Sequence, residues 1–439
     1  MNIMANHPAI TPPPLPAKLE NNNLPLTLMR DILMKTIYRR SLTSASEIAK
    51  AVCLPFAQVM ELIDAARAEH LLEVTGSLHA NSDNKEIGFQ LTEAGRRHAL
   101  AALALSEYYG PMPVPLDDYA QQVKRQSIRS IRLTRTELQK SMGDLILPPG
   151  LMATLGPAVT SGRSILLYGP PGNGKSSIAN GIRDALGDHI YVPHAVAHAG
   201  QVIAVFDPVV HNLVPEPAET GNRLRLSSLR HDPRYVLCER PTVMTGGELT
   251  LDMLELKYNA TARTYQAPLQ FKATGGVFIV DDLGRQEEPP QALINRWIVP
   301  MEMNYDILSL QSGEKFLVPF DTLVIFSTNF HPNEIFDQAA LRRIFYKIKI
   351  DGPDQEDFLK IFALVARKRR IPLNEDALIH LLEKKYPAID NVYANYQPIF
   401  LIDQMISICQ FEGKPYHMTP ALIDRAWDNM FVRDEEIVK

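Results

Sequence analysis

The run Ile165-Leu166-Leu167-Tyr168-Gly169-Pro170-Pro171-Gly172-Asn173-Gly174-Lys175-Ser176 constrains the fold of this chain more than any other stretch. It matches G-x-x-x-x-G-K-[ST], the phosphate-binding loop of nucleoside triphosphatases. An apolar, strand-like run feeds it, and a helix-like segment from Ser176 to Leu186 leaves it. Gly169, Gly172 and Gly174 allow positive φ, so successive N–H groups can turn inward around an anion at a helix N-terminus. Lys175 can neutralise β- and γ-phosphates, and the small Ser176 hydroxyl can ligate Mg²⁺. The expected nucleotide contacts are therefore Gly169, Pro170, Pro171, Gly172, Asn173, Gly174, Lys175, Ser176 and Ser177. Four specified positions would recur by chance in a chain this long with a probability of roughly a few per cent.

A length of 439 residues leaves room for about two to four domains and a packed core. The formal charge of −5 gives no global basic field of the kind that attracts nucleic acid. Cys53, Cys238 and Cys409 lie far apart with no C-x-x-C pair, which points to core thiols rather than a disulfide framework or zinc site. The opening MNIMANHPAITPPPLPAKLENNNLP has no charged segment followed by an apolar one, and no later run nears eighteen apolar residues. A cytoplasmic chain without a transmembrane segment is expected, with residues 1–25 disordered.

From 26 to 105 the spacing becomes that of short amphipathic helices. Leu28, Met29, Ile32, Leu33 and Ile37 share one helical face, Ser44-Ala45-Ser46-Glu47 reads as a capping box, and a third helix runs from Phe56 to His70. A hairpin (Leu71 to Val74, returning from Ile87 to Leu91) and a helix from Thr92 to Leu105 complete the order of a winged helix-turn-helix. In such a unit the third helix reads DNA, yet here it carries Glu61, Asp64 and Glu69 against Arg67. Phosphate-facing elements need the opposite balance. Nine basic residues meet nine acidic ones between Leu26 and Leu100, so protein contact is preferred and DNA disfavoured. Residues 106–147 read as a linker with a solvated basic face at Lys124, Arg125, Arg129, Arg132 and Arg135.

A phosphate loop hydrolyses nothing without a second metal anchor and a group that positions water. Val277 to Val280 is a buried strand ending in Asp281, which would hold the Mg²⁺ shell, and Asp282, which would orient or deprotonate water. Leu323 to Thr328 is another, ending in Asn329, whose amide can reach the water and the γ-phosphate. A helical segment near Asn333 to Leu341 then leads to Arg342 and Arg343 before the alternating strand Ile344 to Ile350.

Strand plus phosphate loop, acidic strand, strand ending in Asn, then arginines before a fifth strand: this order resembles the AAA+ ATPase core. The resemblance covers roughly Pro148 to Met430 and implies an α/β P-loop NTPase domain with a parallel sheet (148–352) and a C-terminal α-helical lid (353–439). It also implies ATP and Mg²⁺ as cofactors and self-association into a ring, most often a hexamer. Arg342 or Arg343 would then act as an arginine finger on the neighbour's γ-phosphate. Two departures stand out. Asp282 occupies a position usually held by Glu, and Ile399 stands where similar ATPases place a phosphate-sensing Arg, so turnover is expected to be slow. A helix from Gly246 through Leu256 and a hairpin-like insertion from Tyr258 to Phe271 resemble the helix-2 insert of the MoxR-type and enhancer-binding branches, which makes Tyr258, Arg263 and Tyr265 candidates for client contact. Packing of that hairpin on its own domain is the alternative. The leading expectation is a ring ATPase that drives a protein client docked by the winged helix. Its rivals are a DNA-binding transcription or replication regulator and an ATP-gated scaffold with little turnover.

Overall fold

The structure is a computed structural model in which residues 11–80, 84–215 and 231–431 are described. Helices α1 (Leu26–Arg40), α2 (Ala45–Val52) and α3 (Phe56–Ala68), the hairpin β1 (Leu72–Ala80) and β2 (Asn84–Leu91), and helix α4 (Glu93–Leu105) form the first unit. Ser44 opens α2 by accepting the Glu47 N–H at 3.2 Å, while the Glu47 carboxylate accepts the Ser44 N–H. Ile32, Leu33, Ile48, Val59, Ile63 and Phe89 meet in its core.

Two expected boundaries change. Residues 11–25, read as disordered, are packed: Leu19 joins the core of the first unit, and Asn22 is buried with its amide on Gln58 Oε1 at 2.9 Å. Residues 1–10 lie outside the described residues. The segment 106–147, read as a linker, holds strand β3 (Val114–Pro115) and helices α5 (Leu116–Arg125) and α6 (Arg135–Ser141). Residues 11–25 are held by partners distant in sequence, such as Gln122 on the Thr11 carbonyl, whereas α6 is encoded locally by the Thr134–Glu137 capping box.

Next come α7 (Leu151–Thr160), β4 (Ile165–Tyr168) and α8 (Lys175–Ala185), followed by β5 (His189–Pro193), β6 (Ala195–His198), β7 (Gln201–Ala204), β8 (Tyr235–Glu239) and β9 (Thr242–Thr245). Then follow β10 (Lys257–Asn259), β11 (Thr264–Gln266), the short α9 (Leu269–Lys272), β12 (Val277–Val280), α10 (Pro290–Met303), β13 (Tyr305–Ser309), β14 (Lys315–Pro319) and β15 (Leu323–Thr328). Helices α11 (Pro332–Ile335) and α12 (Gln338–Arg343) precede β16 (Tyr346–Lys349).

Five of these strands make a wholly parallel sheet in the order β16-β4-β15-β12-β9. Alternation along the strands feeds two cores: Ile165, Leu167, Ile279 and Ile325 pack with Leu155, Ile178 and Ile182, while Leu166, Phe278 and Phe326 pack with Leu293, Ile294 and Trp297 on the other face. A sheet buried on both faces needs apolar residues at successive positions, which is why these strands read as unbroken hydrophobic runs. The result is the α/β P-loop NTPase fold expected from the motif order.

A second layer joins β10-β11-β7-β6-β3 beside that core. The hairpin β10–β11 belongs to it: Tyr265 is buried, β11 pairs in parallel with β7, and the Ala262 carbonyl at the hairpin turn accepts the Glu107 N–H at 2.9 Å. The expected insert is thus clamped to its own chain. Nor does the helix expected from Gly246 through Leu256 form; a single 3₁₀ turn spans Leu251–Leu254. The Leu254 carbonyl at the end of that turn accepts from Gln270 Nε2 and Arg296 Nη2 at 2.6 and 3.0 Å. Val202, Ile203 and Val205 are buried in this layer, whereas Val209 further along is exposed. Helices α13 (Gln355–Arg369), α14 (Glu375–His380), α15 (Tyr396–Phe411) and α16 (Pro420–Asp428) close the chain around Phe358, Phe362, Tyr386, Leu401, Met405 and Trp427.

Candidate functional site

The loop between β4 and α8 obtains its shape from three glycines with φ of +140° (Gly169), +77° (Gly172) and +83° (Gly174). Gly169 also lies against the sheet, where an added Cβ would come within 2.3 Å of the Ile350 carbonyl oxygen. Lys175 opens α8 and is buried, with Nζ donating to the Gly169 and Pro170 carbonyls at 2.9 Å each. Burial lowers its pKa, and the nearby Asp282 and Asp281 carboxylates act against that shift. The Ser176 hydroxyl donates to Asp281 Oδ2 at 2.7 Å, joining the first turn of α8 to the end of β12.

Asp281 and Asp282 follow β12 directly. Asp282 holds a left-handed φ of +48°, a conformation that costs an L-residue of order 1 to 2 kcal/mol and that Asp tolerates better than most. Three contacts hold this corner: the Asp282 N–H on Asp281 Oδ1 (3.1 Å), the Leu283 N–H on the Ser327 carbonyl (2.7 Å), and Asn329 Nδ2 on Asp282 Oδ1 (3.1 Å). The carboxylate after β12 and the amide after β15 are thereby brought together, although 47 residues separate them.

These groups border a cavity of about 820 Å³ between the sheet and the C-terminal helices. Pro171, Gly172, Gly174, Lys175, Ser176 and Ser177 supply one wall and Asp281, Asp282 and Asn329 another; Ser327, whose buried hydroxyl has no hydrogen-bond partner, also lines it. The remaining wall is mostly apolar, from Met142, Leu145 and Ile146 on one side and Ile361, Leu364, Val365, Tyr396 and Ile399 on the other. An anion-shaped loop with oxygen donors at one end and an apolar slot at the other suits a nucleotide.

Sequence reasoning missed the apolar wall. Ile361, Leu364, Val365 and Lys368 recur at helical spacing on α13 and could have been found, whereas nothing local marks Met142 as part of a site. It also missed a latch at the loop: Asn395 N–H and Nδ2 donate to Asn173 Oδ1 and its carbonyl at 3.3 and 3.1 Å, and the Tyr396 N–H donates to the Gly172 carbonyl at 3.0 Å. Asn173 is buried in that contact, and Gly169 and Pro170 serve the loop without lining the cavity.

Arg342 and Arg343 stand outside the cavity. Arg343 is engaged within the chain, with Nε on Glu302 Oε1 at 2.9 Å and Nη1 on the Ala339 carbonyl at 3.1 Å; Arg342 is exposed. No group of three or more His, Cys, Asp or Glu among the described residues could hold a metal by itself. No helix among them is long and apolar enough to cross a membrane.

A family model described as a domain of unknown function, DUF8689, matches residues 354–429, the C-terminal helices. No curated protein sequence matches the chain. Among solved structures, NtrX from Brucella abortus in complex with ADP is similar at 14% identity and a TM-score of 0.40, covering 79% of this chain and 69% of that one. RuvB of Thermotoga maritima, described as a Holliday junction branch migration motor, is similar at 14% identity and a TM-score of 0.36, covering 71% and 74%.

Proposed function

We propose that this chain is an AAA+-type ATPase that binds and hydrolyses ATP in the cavity between the parallel sheet and the C-terminal helices. The observation that carries the reading is the convergence of Ser176 with Asp281 and of Asp282 with Asn329 at the ends of three parallel strands. Ser176 and Asp281 offer hard oxygen donors in contact beside the phosphate loop, a set that fits Mg²⁺. Bound there, the ion would offset phosphate charge. Lys175 and the loop N–H groups would hold the phosphate chain. Asp282, fixed by Asn329, would orient and accept a proton from the attacking water, and Asn329 would donate to the γ-phosphate. The apolar slot would exclude water from the base.

Self-association into a ring, most simply a hexamer, is supported by the exposed Arg342, a guanidinium outside its own cavity that would serve a neighbour's. Arg342 is the better finger candidate because Glu302 already engages Arg343. The first unit would dock a protein client as a winged helix, in a cytoplasmic setting. Its third helix turns Glu61 and Asp64 outward, which speaks against duplex DNA. Client contact through Tyr258, Arg263 and Tyr265 is not retained, because that hairpin is clamped to its own chain.

Phosphate release from purified chain, measured against a Lys175→Ala control, tests the proposal. Turnover that disappears in the control supports it. Wild-type release no greater than the control would leave only the nucleotide-gated scaffold.

A further inference from the structure

Away from the nucleotide cavity, residues 11–17 (TPPPLPA) run without regular structure along a groove that spans two parts of the molecule. Prolines at 12, 13, 14 and 16 fix φ near roughly −65° and remove backbone donors, so this stretch offers its surroundings little except carbonyl oxygens and ring faces. The surroundings match. Gln122 Nε2 on α5 donates to the Thr11 carbonyl at 3.0 Å, the Asp232 N–H to Pro13 at 3.1 Å, and Gln58 Nε2 on α3 to Pro16 at 2.6 Å. Pro13 is buried between them.

The groove floor is built rather than incidental. Arg234 forms a buried bidentate pair with Asp232, and its Nη1 donates to the Pro113 carbonyl, so the Asp232 backbone donor is held rigidly. A cavity of about 310 Å³ remains beside the segment, bordered by Asp118, Gln121, Gln122, Arg125 and Tyr235. Gln122, which borders it, has a buried Oε1 with no hydrogen-bond partner. The chain's own segment therefore leaves both space and one acceptor unused.

Donors placed to meet the Thr11, Pro13 and Pro16 carbonyls of a donor-poor, extended peptide suit a segment preformed by its prolines. We propose that this groove is a docking site for a proline-rich segment of another protein chain, and that residues 11–16 occupy it in cis and compete with that partner. A segment with one non-proline residue whose N–H reaches Gln122 Oε1 would bind better than the resident one. Because residues 11–16 are tethered, they compete at an effective concentration on the order of millimolar.

The test uses the full chain and a fluorescent synthetic peptide with the sequence of residues 11–17. Pro13→Arg forces a charge into the buried position and should free the segment, seen as faster hydrogen exchange at the buried Asp232 amide, whose acceptor is the Pro13 carbonyl. Peptide anisotropy should then report saturable binding at least about ten-fold tighter than to the wild-type chain. Adding Gln122→Ala should weaken that binding about five-fold, the effect of one lost hydrogen bond, and a peptide with Ala at every proline should bind less well. Should Pro13→Arg not fold, a chain with a protease site inserted between Ala17 and Lys18 replaces it; after cleavage the fragment should stay bound and be chased off by excess peptide. Equal binding by freed and wild-type chains, absence of saturable binding to the freed or cleaved chain, or continued protection of the Asp232 amide in Pro13→Arg would each overturn the proposal.

Discussion

Gly169 and Gly172 both carry positive φ in the phosphate loop, yet what surrounds them differs, and the difference is measurable by alanine substitution. A Cβ on Gly172 would lie 2.3 Å from Tyr396 Cδ1, the side chain of a residue on the helical unit whose ring is 40% exposed and can swing away. A Cβ on Gly169 would lie 2.3 Å from the Ile350 carbonyl oxygen, which is backbone next to β16 and cannot. Each substitution costs about 1 to 2 kcal/mol for placing an L-residue at positive φ. Gly172→Ala adds about 1 kcal/mol by pushing the ring and straining the Tyr396 N–H bond to the Gly172 carbonyl. Gly169→Ala adds more, because β16 must shift and the Ile350 N–H bond to Tyr168 at 2.8 Å is put at risk. Tyr396→Ala should therefore rescue Gly172→Ala by a coupling of roughly 1 kcal/mol and leave Gly169→Ala additive within about 0.5 kcal/mol. Urea unfolding followed by fluorescence reads both halves of the contact, since Trp297 lies in the sheet's core and Trp427 in the helical unit. Equal coupling at the two glycines, or none at Gly172, would refute the docking of α15 on the loop.

Asp282→Asn should retain ATP-dependent thermal stabilisation while lowering phosphate release at least about 100-fold, within the range expected for general-base loss; undiminished release removes Asp282 from the reaction. Mixed with wild type, Arg342→Ala should lower turnover more than dilution predicts, whereas Arg343→Ala should mainly cost stability, under about 1 kcal/mol for a partly exposed pair with Glu302; the opposite pattern in mixing titrations would exchange their roles. Burial pushes the Cys238 thiol up to about 12 and the Cys53 thiol up to about 11. A raised pKa leaves the thiolate scarce at pH 8, so a thiol-reactive disulfide reagent should reach the buried Cys238 only after unfolding and the half-buried Cys53 slowly in the native chain; rapid native modification of Cys238, located by mass spectrometry, would contradict its burial.

The strands that build the sheet and the loop between them were legible because their signals are short-ranged. Ile165 to Tyr168 must be buried on both faces, and Gly169, Gly172 and Gly174 are spaced for one turn of backbone around an anion. Asp281, Asp282 and Asn329 were readable for the same reason, each standing at the end of an apolar run. What failed depended on partners far along the chain. Residues 11–25 look disordered by composition until Gln122, 111 residues from Thr11, supplies a donor. Tyr258 and Tyr265 read as an exposed insert until β7 offers an edge to pair with, and Arg342 and Arg343 are equivalent until Glu302, 41 residues from Arg343, engages one of them. The apolar wall of the cavity joins Met142 to Ile361 only because α6 packs on α8 and the helical unit docks on the loop through Asn395. Propensity and periodicity act over a few residues, so the sequence alone determined the sheet and its chemistry-bearing ends; which surfaces remain open was decided by long-range burial in the folded chain.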